Sequence, residues 1–419
     1  MTQVERPALP AVPRLVNGAG RLLGRLGVMP VRLDAEALLA TARRRTRLDD
    51  FGDDDFREGL DRLLASLDAE ARLSLLGRFI AREEVCGALC NRLRVLDWHA
   101  RHPEIAEQPV RRPIVIAGQG RTGTTILHDL LAQDPGSRVP HSWELWSPCP
   151  PPEREHAHDD PRIAASQAQL DRSERLIPDF KRIHRMGAEL PQECVRITGG
   201  DFRSMIFPTQ YHVPTYGRWL LYEADLASTY RWHRRYLQHL QSEHPAPRWL
   251  LKTPGHIWHL SALLAEYPDA VLIQTHRDPL RVVASVSALT AHLRRMASDH
   301  TSVAESAAEF APYIFEGLDR SMQARDDGVL PLDQVVDVQF LEFLANPIAT
   351  IDAIYGRLGL ELSGEAEDRM RAFLQENPGD GGGESGRYNF AATELDPTEL
   401  RAQARPYQER FGVTSETVV

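Results

Sequence analysis

The densest chemistry in the chain lies in Gly118–Thr125, which reads GQGRTGTT. Glycines at 118, 120 and 123 let a backbone pass close to ligand oxygens. Thr124 and Thr125 offer hydroxyl donors, and Arg121 offers a planar charged fork. The apolar run Ile114–Ala117 precedes this stretch, and a helical pattern over about 124–132 follows it. A loop between a buried strand and a helix N-terminus presents successive backbone N–H groups to an anion. A nucleoside triphosphatase loop would read G-x-x-x-x-G-K-[ST]. Gly118 and Gly123 keep that spacing, but Thr124 stands in the lysine position and the cation is Arg121, two places before the second glycine. Without a lysine to reach the β- and γ-phosphates, hydrolysis of ATP or GTP is disfavoured.

The elements around this loop set its context. Asp34 opens one helix, and Leu75, Phe79, Val85, Leu89, Leu93 and Leu96 mark the apolar stripe of a longer one. Further strands are expected at 248–251, at 270–275 and at 334–338, the last two each with a helical pattern after it. Strands alternating with helices predict a parallel sheet covered on both faces. The reading divides the chain into a helical region 1–110, an α/β core 111–360 with a helical insertion at 150–240, and a C-terminal region 361–419. Five glycines fall within Gly379–Gly386, which reads as a mobile loop.

Composition narrows the class. Over 419 residues the apolar fraction is 42% and the charged fraction 26%, both ordinary for a folded protein. A net charge of −10 argues against a nucleic-acid binder, so an anionic ligand must be held by a local cluster of cations. The four cysteines suggest buried thiols rather than a disulfide framework, and no histidine pair stands beside them at zinc-ligand spacing. No metal is expected. With no leader pattern and no apolar run of spanning length, a cytoplasmic protein is expected.

Several segments together resemble a known family. R-x-G-T-T after a strand looks like the 5′-phosphosulfate loop of sulfotransferases that use 3′-phosphoadenosine-5′-phosphosulfate (PAPS). Trp249–His256 (WLLKTPGH), Pro268–Pro279 (PDAVLIQTHRDP), Trp143-Glu144 with Pro148–Pro152, and Leu48–Asp53 are similar to segments of the bacterial and tyrosylprotein-type branch, and roughly residues 45–395 match in order. The resemblance implies a P-loop-like three-layer α/β fold with a central parallel sheet. It also implies that Gly120, Arg121, Thr122, Gly123, Thr124 and Thr125 hold the 5′ end of PAPS, and that Arg277 and Ser285 bind its 3′-phosphate. Lys252 would stabilise charge on the transferring group. Arg387 would touch the 3′-phosphate and Tyr388 the adenine. Glu144 is the first choice as general base, with His141, Glu193 and His256 as alternatives. An aromatic that the better-known branch places after the threonine pair is here Ile126.

The implied reaction is in-line transfer of a sulfuryl group to a hydroxyl of a small-molecule, lipid or sugar acceptor, with cations supplied by the protein. Residues 150–240 are the expected acceptor segment; it mixes Phe202, Phe207, Tyr211, Tyr216 and Trp219 with Arg196, Arg203 and Asp201, and most of these aromatics are expected in helix core. A P-loop kinase or a non-catalytic nucleotide-binding protein is the alternative, and the second would turn Glu144 and Lys252 away from the anion site.

Overall fold

A computed structural model of the chain describes residues 10–176, 187–377 and 389–418. The Gly-rich loop, Arg387 and Tyr388 lie outside them.

Four strands form one sheet: β1 (Ile114–Ile116), β2 (Leu250–Lys252), β3 (Val271–His276) and β4 (Val335–Gln339). The order is β2-β1-β3-β4 and every pairing is parallel, with Val115 opposite Leu251 on one side and Leu272 on the other. The four expected strands are therefore the four observed ones, with slightly different ends. Their side chains alternate between faces, as a period of two requires. Ile114, Ile116, Ile273, Val336 and Val338 pack with Leu127, Leu130, Ile351 and Tyr355 on one face. Val115, Leu251 and Leu272 face the larger core on the other. That is the three-layer α/β arrangement the sequence predicts.

The larger core joins parts distant in sequence. Leu38, Leu60, Leu89 and Leu93 of the N-terminal helices meet Phe207, Tyr216, Trp219 and Trp232 of the inserted segment. Arg92, buried in the long helix Leu75–Arg101, donates to the carbonyls of Phe51 and Gly200 and faces the Asp201 carboxylate at 3.5 Å. The apolar stripe of that helix runs inward from Val85 to Leu96, but Phe79 is 53% exposed. The first turn instead packs its backbone on another strand of chain: a Cβ at Gly77 would lie 1.9 Å from the Ala297 carbonyl oxygen. The aromatics at 202, 207, 211, 216 and 219 are all core side chains. Arg196 is paired with Glu84, and Arg203 with Asp201.

Because β1 sits between β2 and β3, the chain leaves its carboxyl end at the point where the sheet's winding reverses. Ligands of open parallel sheets bind at such a point. Gly118 is set there by contact: a Cβ on it would fall 1.9 Å from Thr275 Oγ1, a side chain of β3. Gly118→Ala is expected to destabilise the protein by about 1–3 kcal/mol, as overpacking of a filled site does. A urea titration of the two proteins checks this.

Candidate active site

The loop is braced from beneath before any ligand arrives. Thr122, only 2% exposed, donates from its hydroxyl to the Gln119 carbonyl at 2.5 Å and meets Thr275 Oγ1 at 2.5 Å. Its side chain thus serves the loop itself, and its backbone N–H is what remains for a ligand. Arg121 and Gly123 both have positive φ, 68° and 84°. Gly123 then opens the helix Thr124–Leu131, and a Cβ there would strike the Phe340 ring at 2.8 Å. The left-handed turn and the crowding both demand glycine. Thr124 is buried, Thr125 is exposed, and Ile126 packs toward the sheet-face core.

The second motif meets the first directly. Arg277 follows β3, and Ser285 lies on the helix Pro279–Arg294. Arg277 Nη1 donates to the Arg121 carbonyl at 3.0 Å, and Arg121 Nε donates to Ser285 Oγ at 2.9 Å. The Arg277 guanidinium lies 4.0 Å from the Phe340 ring centroid. It does not pair with its neighbour Asp278, which Arg401 takes with two bonds of 2.6 and 2.8 Å. Its carboxylate partner is Glu416, bound through Nε at 2.8 Å and Nη2 at 3.0 Å. A planar carboxylate on a guanidinium fork has the geometry a phosphate also uses.

Lys252 ends β2, almost wholly buried, and its Nζ donates to Glu193 Oε1 at 2.6 Å and to Thr125 Oγ1 at 3.4 Å. Glu193 keeps 21% of its side chain exposed, and its other oxygen accepts from Thr253 at 3.4 Å. A cation, an accessible carboxylate and a loop hydroxyl are thus gathered beside the phosphate loop.

Glu144 is held by other partners. It is 1% exposed and caps its own short helix Ser142–Trp146. Arg138 donates to it at 3.0 and 3.5 Å, and the His141 backbone N–H at 2.9 Å. Burial alone would push its carboxyl up; the Arg138 guanidinium and the His141 contacts hold it down at about 2. Arg138 itself pairs with Trp249, at the amino end of β2, about 10 Å of extended chain from Lys252. The competing carboxylate Glu193 therefore stands at the loop, while Glu144 is tied into a buried ion pair. His256 is also buried, and desolvation drives its imidazole far below the usual range. Glu416 and Thr275 were not singled out from the sequence. Glu416 sits in a C-terminal stretch without periodicity, 139 residues from its partner, so no local pattern could reveal it. Thr275 could be found only as the last residue of the expected strand.

A sequence model of the Sulfotransferase family matches residues 113–364. A curated protein of Mycobacterium tuberculosis (strain CDC 1551 / Oshkosh), omega-hydroxy-beta-dihydromenaquinone-9 sulfotransferase Stf3, is 24% identical over 278 residues, 63% of this chain and 67% of that protein. The crystal structure of sulfotransferase STF9 from Mycobacterium avium superposes with a TM-score of 0.83 at 28% identity, covering 93% of this chain and 99% of its own. That of STF1 from Mycobacterium tuberculosis H37Rv does so at 0.77 and 32% identity, covering 90% and 98%.

The buried pair sets a pH signature. A carboxyl held below its ordinary 4.5 stabilises the fold above that value and loses the contribution as pH falls toward 2. Glu144→Gln should cost about 3–5 kcal/mol at neutral pH, because Arg138 loses its counter-charge inside the protein. Its melting temperature should then fall less than the wild type's between pH 4.5 and pH 2. Thermal melts followed by circular dichroism check both.

Proposed function

The chain belongs to the sulfotransferase family, and from that premise we propose that it moves a sulfuryl group from PAPS to a hydroxyl of a small, lipid-like acceptor. The observation that carries the nucleotide part is the contact between Arg277, Arg121 and Ser285. These residues would grip phosphates at two sugar positions of one nucleotide. The bidentate Glu416 carboxylate on the Arg277 fork supports this reading, since two phosphate oxygens engage a guanidinium in the same way.

Bound PAPS supplies the sulfuryl group and a weakly basic leaving phosphate. The chain's own residues do the rest. Backbone N–H groups of 120–125, Arg121 and the Thr124 and Thr125 hydroxyls hold the 5′ end. Arg277 and Ser285 hold the 3′-phosphate, which displaces Glu416. Glu193 receives the proton of the acceptor hydroxyl, since an alcohol needs a base to attack. One S–O bond forms to the acceptor oxygen as the bond from sulfur to the 5′-phosphate oxygen breaks. Lys252 turns its charge from Glu193 to the oxygens on which charge grows, a preorganised electrostatic contribution. Arg387 and Tyr388 would close over the nucleotide.

A lipid-like acceptor is favoured by the likeness to a protein named for an ω-hydroxylated menaquinone. Among the described residues no helix is long and apolar enough to cross a membrane. The kinase alternative still lacks its lysine; of the two side chains a mere scaffold would turn away, Lys252 reaches Thr125 of the loop, while Glu144 is held by Arg138.

Incubation with labelled PAPS and pooled hydroxylated lipids, read by mass, tests the transfer. Glu193→Gln should lower kcat by about 10²–10⁴-fold while leaving affinity for 3′-phosphoadenosine-5′-phosphate unchanged. Glu144→Gln, assayed where it is folded, should keep its kcat; the opposite pattern would return the base to Glu144. In calorimetry with the same bisphosphate, Arg277→Ala should weaken binding about tenfold or more, the effect of losing a charge-assisted pair. Glu416→Gln should strengthen it, because the competing carboxylate is gone.

A further inference from the structure

Behind the Glu193–Lys252 pair lies a polar cluster that sulfuryl transfer does not use. Cys194 precedes the short helix Val195–Thr198, His233 lies on the helix Ala227–Gln241, and His256 lies in the turn Pro254–Trp258. All three are buried, at 0%, 0% and 1% exposure. The Cys194 Sγ and one ring nitrogen of each imidazole lie within 4.8 Å of one another. Each imidazole is oriented by a tyrosine: the Tyr230 hydroxyl meets His256 Nδ1 at 2.9 Å, and the Tyr267 hydroxyl meets His233 Nδ1 at 2.8 Å. The other nitrogen of each ring, Nε2, is buried without a hydrogen-bond partner. Buried polar atoms left in this way call for an occupant.

We propose that Cys194 Sγ, His233 Nε2 and His256 Nε2 form a binding site for a soft or borderline transition-metal cation. One thiolate and two neutral imidazoles are the donors such ions select over oxygen. The tyrosines complete the arrangement. With the ring proton on Nδ1 and donated to the tyrosine oxygen, the Nε2 lone pair points into the cluster, and the ring cannot turn. Binding replaces the Cys194 S–H bond with a metal–sulfur bond and releases that proton to solvent, while two metal–nitrogen bonds form without proton change. Zinc in this shell leaves a net charge of +1 and room for a fourth ligand. Cuprous ion leaves the shell neutral and needs only three.

The position gives the metal a structural task. Cys194 directly follows Glu193, and its backbone N–H donates to the Lys252 carbonyl at 2.9 Å. His256 follows Lys252 by one tight turn. A bridging ion would tie together the two segments that carry the acid–base pair. The three ligands are scattered along the chain with no short spacing between them, so the sequence pattern pointed to buried, metal-free thiols. Only folding brings them to one place.

The full chain, stripped with a chelator, is offered zinc(II) or, without oxygen, copper(I), then desalted and its metal content measured. Retention of one equivalent of either ion, with a raised melting temperature, is expected, and the ion retained tells which cation chemistry the site prefers. Cobalt(II) should add a thiolate-to-metal charge-transfer band in the wild type. Cys194→Ser should lose the band and the retained metal, whereas Cys149→Ser, at a different thiol, should keep both. A wild type that retains neither ion, or a Cys194→Ser protein that still retains one equivalent, overturns the proposal. Calorimetry with 3′-phosphoadenosine-5′-phosphate on the stripped protein keeps this result separate from the sulfotransferase reading, because Arg121 and Arg277 do not depend on the cluster.

Discussion

The convergence of three strand ends governs the rest of the molecule. β1 releases the phosphate loop, β2 ends on Lys252, and β3 passes straight into Arg277. Because these strands are neighbours and parallel, their carboxyl ends lie along one edge. A chain of net charge −10 can hold a polyanion only by concentrating cations in one place. The sheet supplies that place without any help from the global charge.

Concentrated cations need partners when no ligand is there. Lys252 and Arg277 are nearly buried, and a buried charge without a counter-charge is strongly destabilising. Each has a carboxylate instead: Glu193 on Lys252 and Glu416 on Arg277. The two pairs differ in where their acids come from. Glu193 stands on the segment hydrogen-bonded to β2 through Cys194, which holds it beside Lys252. Glu416 comes from the C-terminal stretch, anchored by its backbone N–H on Asp278 at 2.7 Å, so its side chain can give way while its backbone stays.

The two glutamates considered for base differ in what the fold sets against them. Glu144 stands at a plausible distance beyond the loop helix, next to tryptophans that suggest a raised pKa. The structure sets Arg138 against it and turns its carboxyl into an acid far stronger than usual. Arg138 was silent in the sequence, because an arginine six residues upstream in a loop has no periodic relation to a short helix. Glu193 carried no stronger signal than its alternatives until the fold set it 2.6 Å from Lys252. The aromatics of 202–219 suit a pocket or a core equally by composition; core is the reading favoured for most of them, and packing against the N-terminal helices makes them core.

Local rules were enough for much of this protein. Strand alternation, the glycines at 118 and 123, and the strand-to-helix placement of the loop follow from backbone sterics and side-chain period, which act over a few residues. So the parallel sheet, its covered faces, and the order of the glycine-rich loop and the Arg277 segment were all readable. Which charges meet is a different matter. Arg277 with Glu416, Lys252 with Glu193, Arg138 with Glu144, and the thiol with two imidazoles are pairings across turns or long loops, set by how helices and sheet pack. No short-range preference encodes them, because a charge or a lone pair is satisfied by whatever the fold delivers, and only the tertiary structure decides what that is.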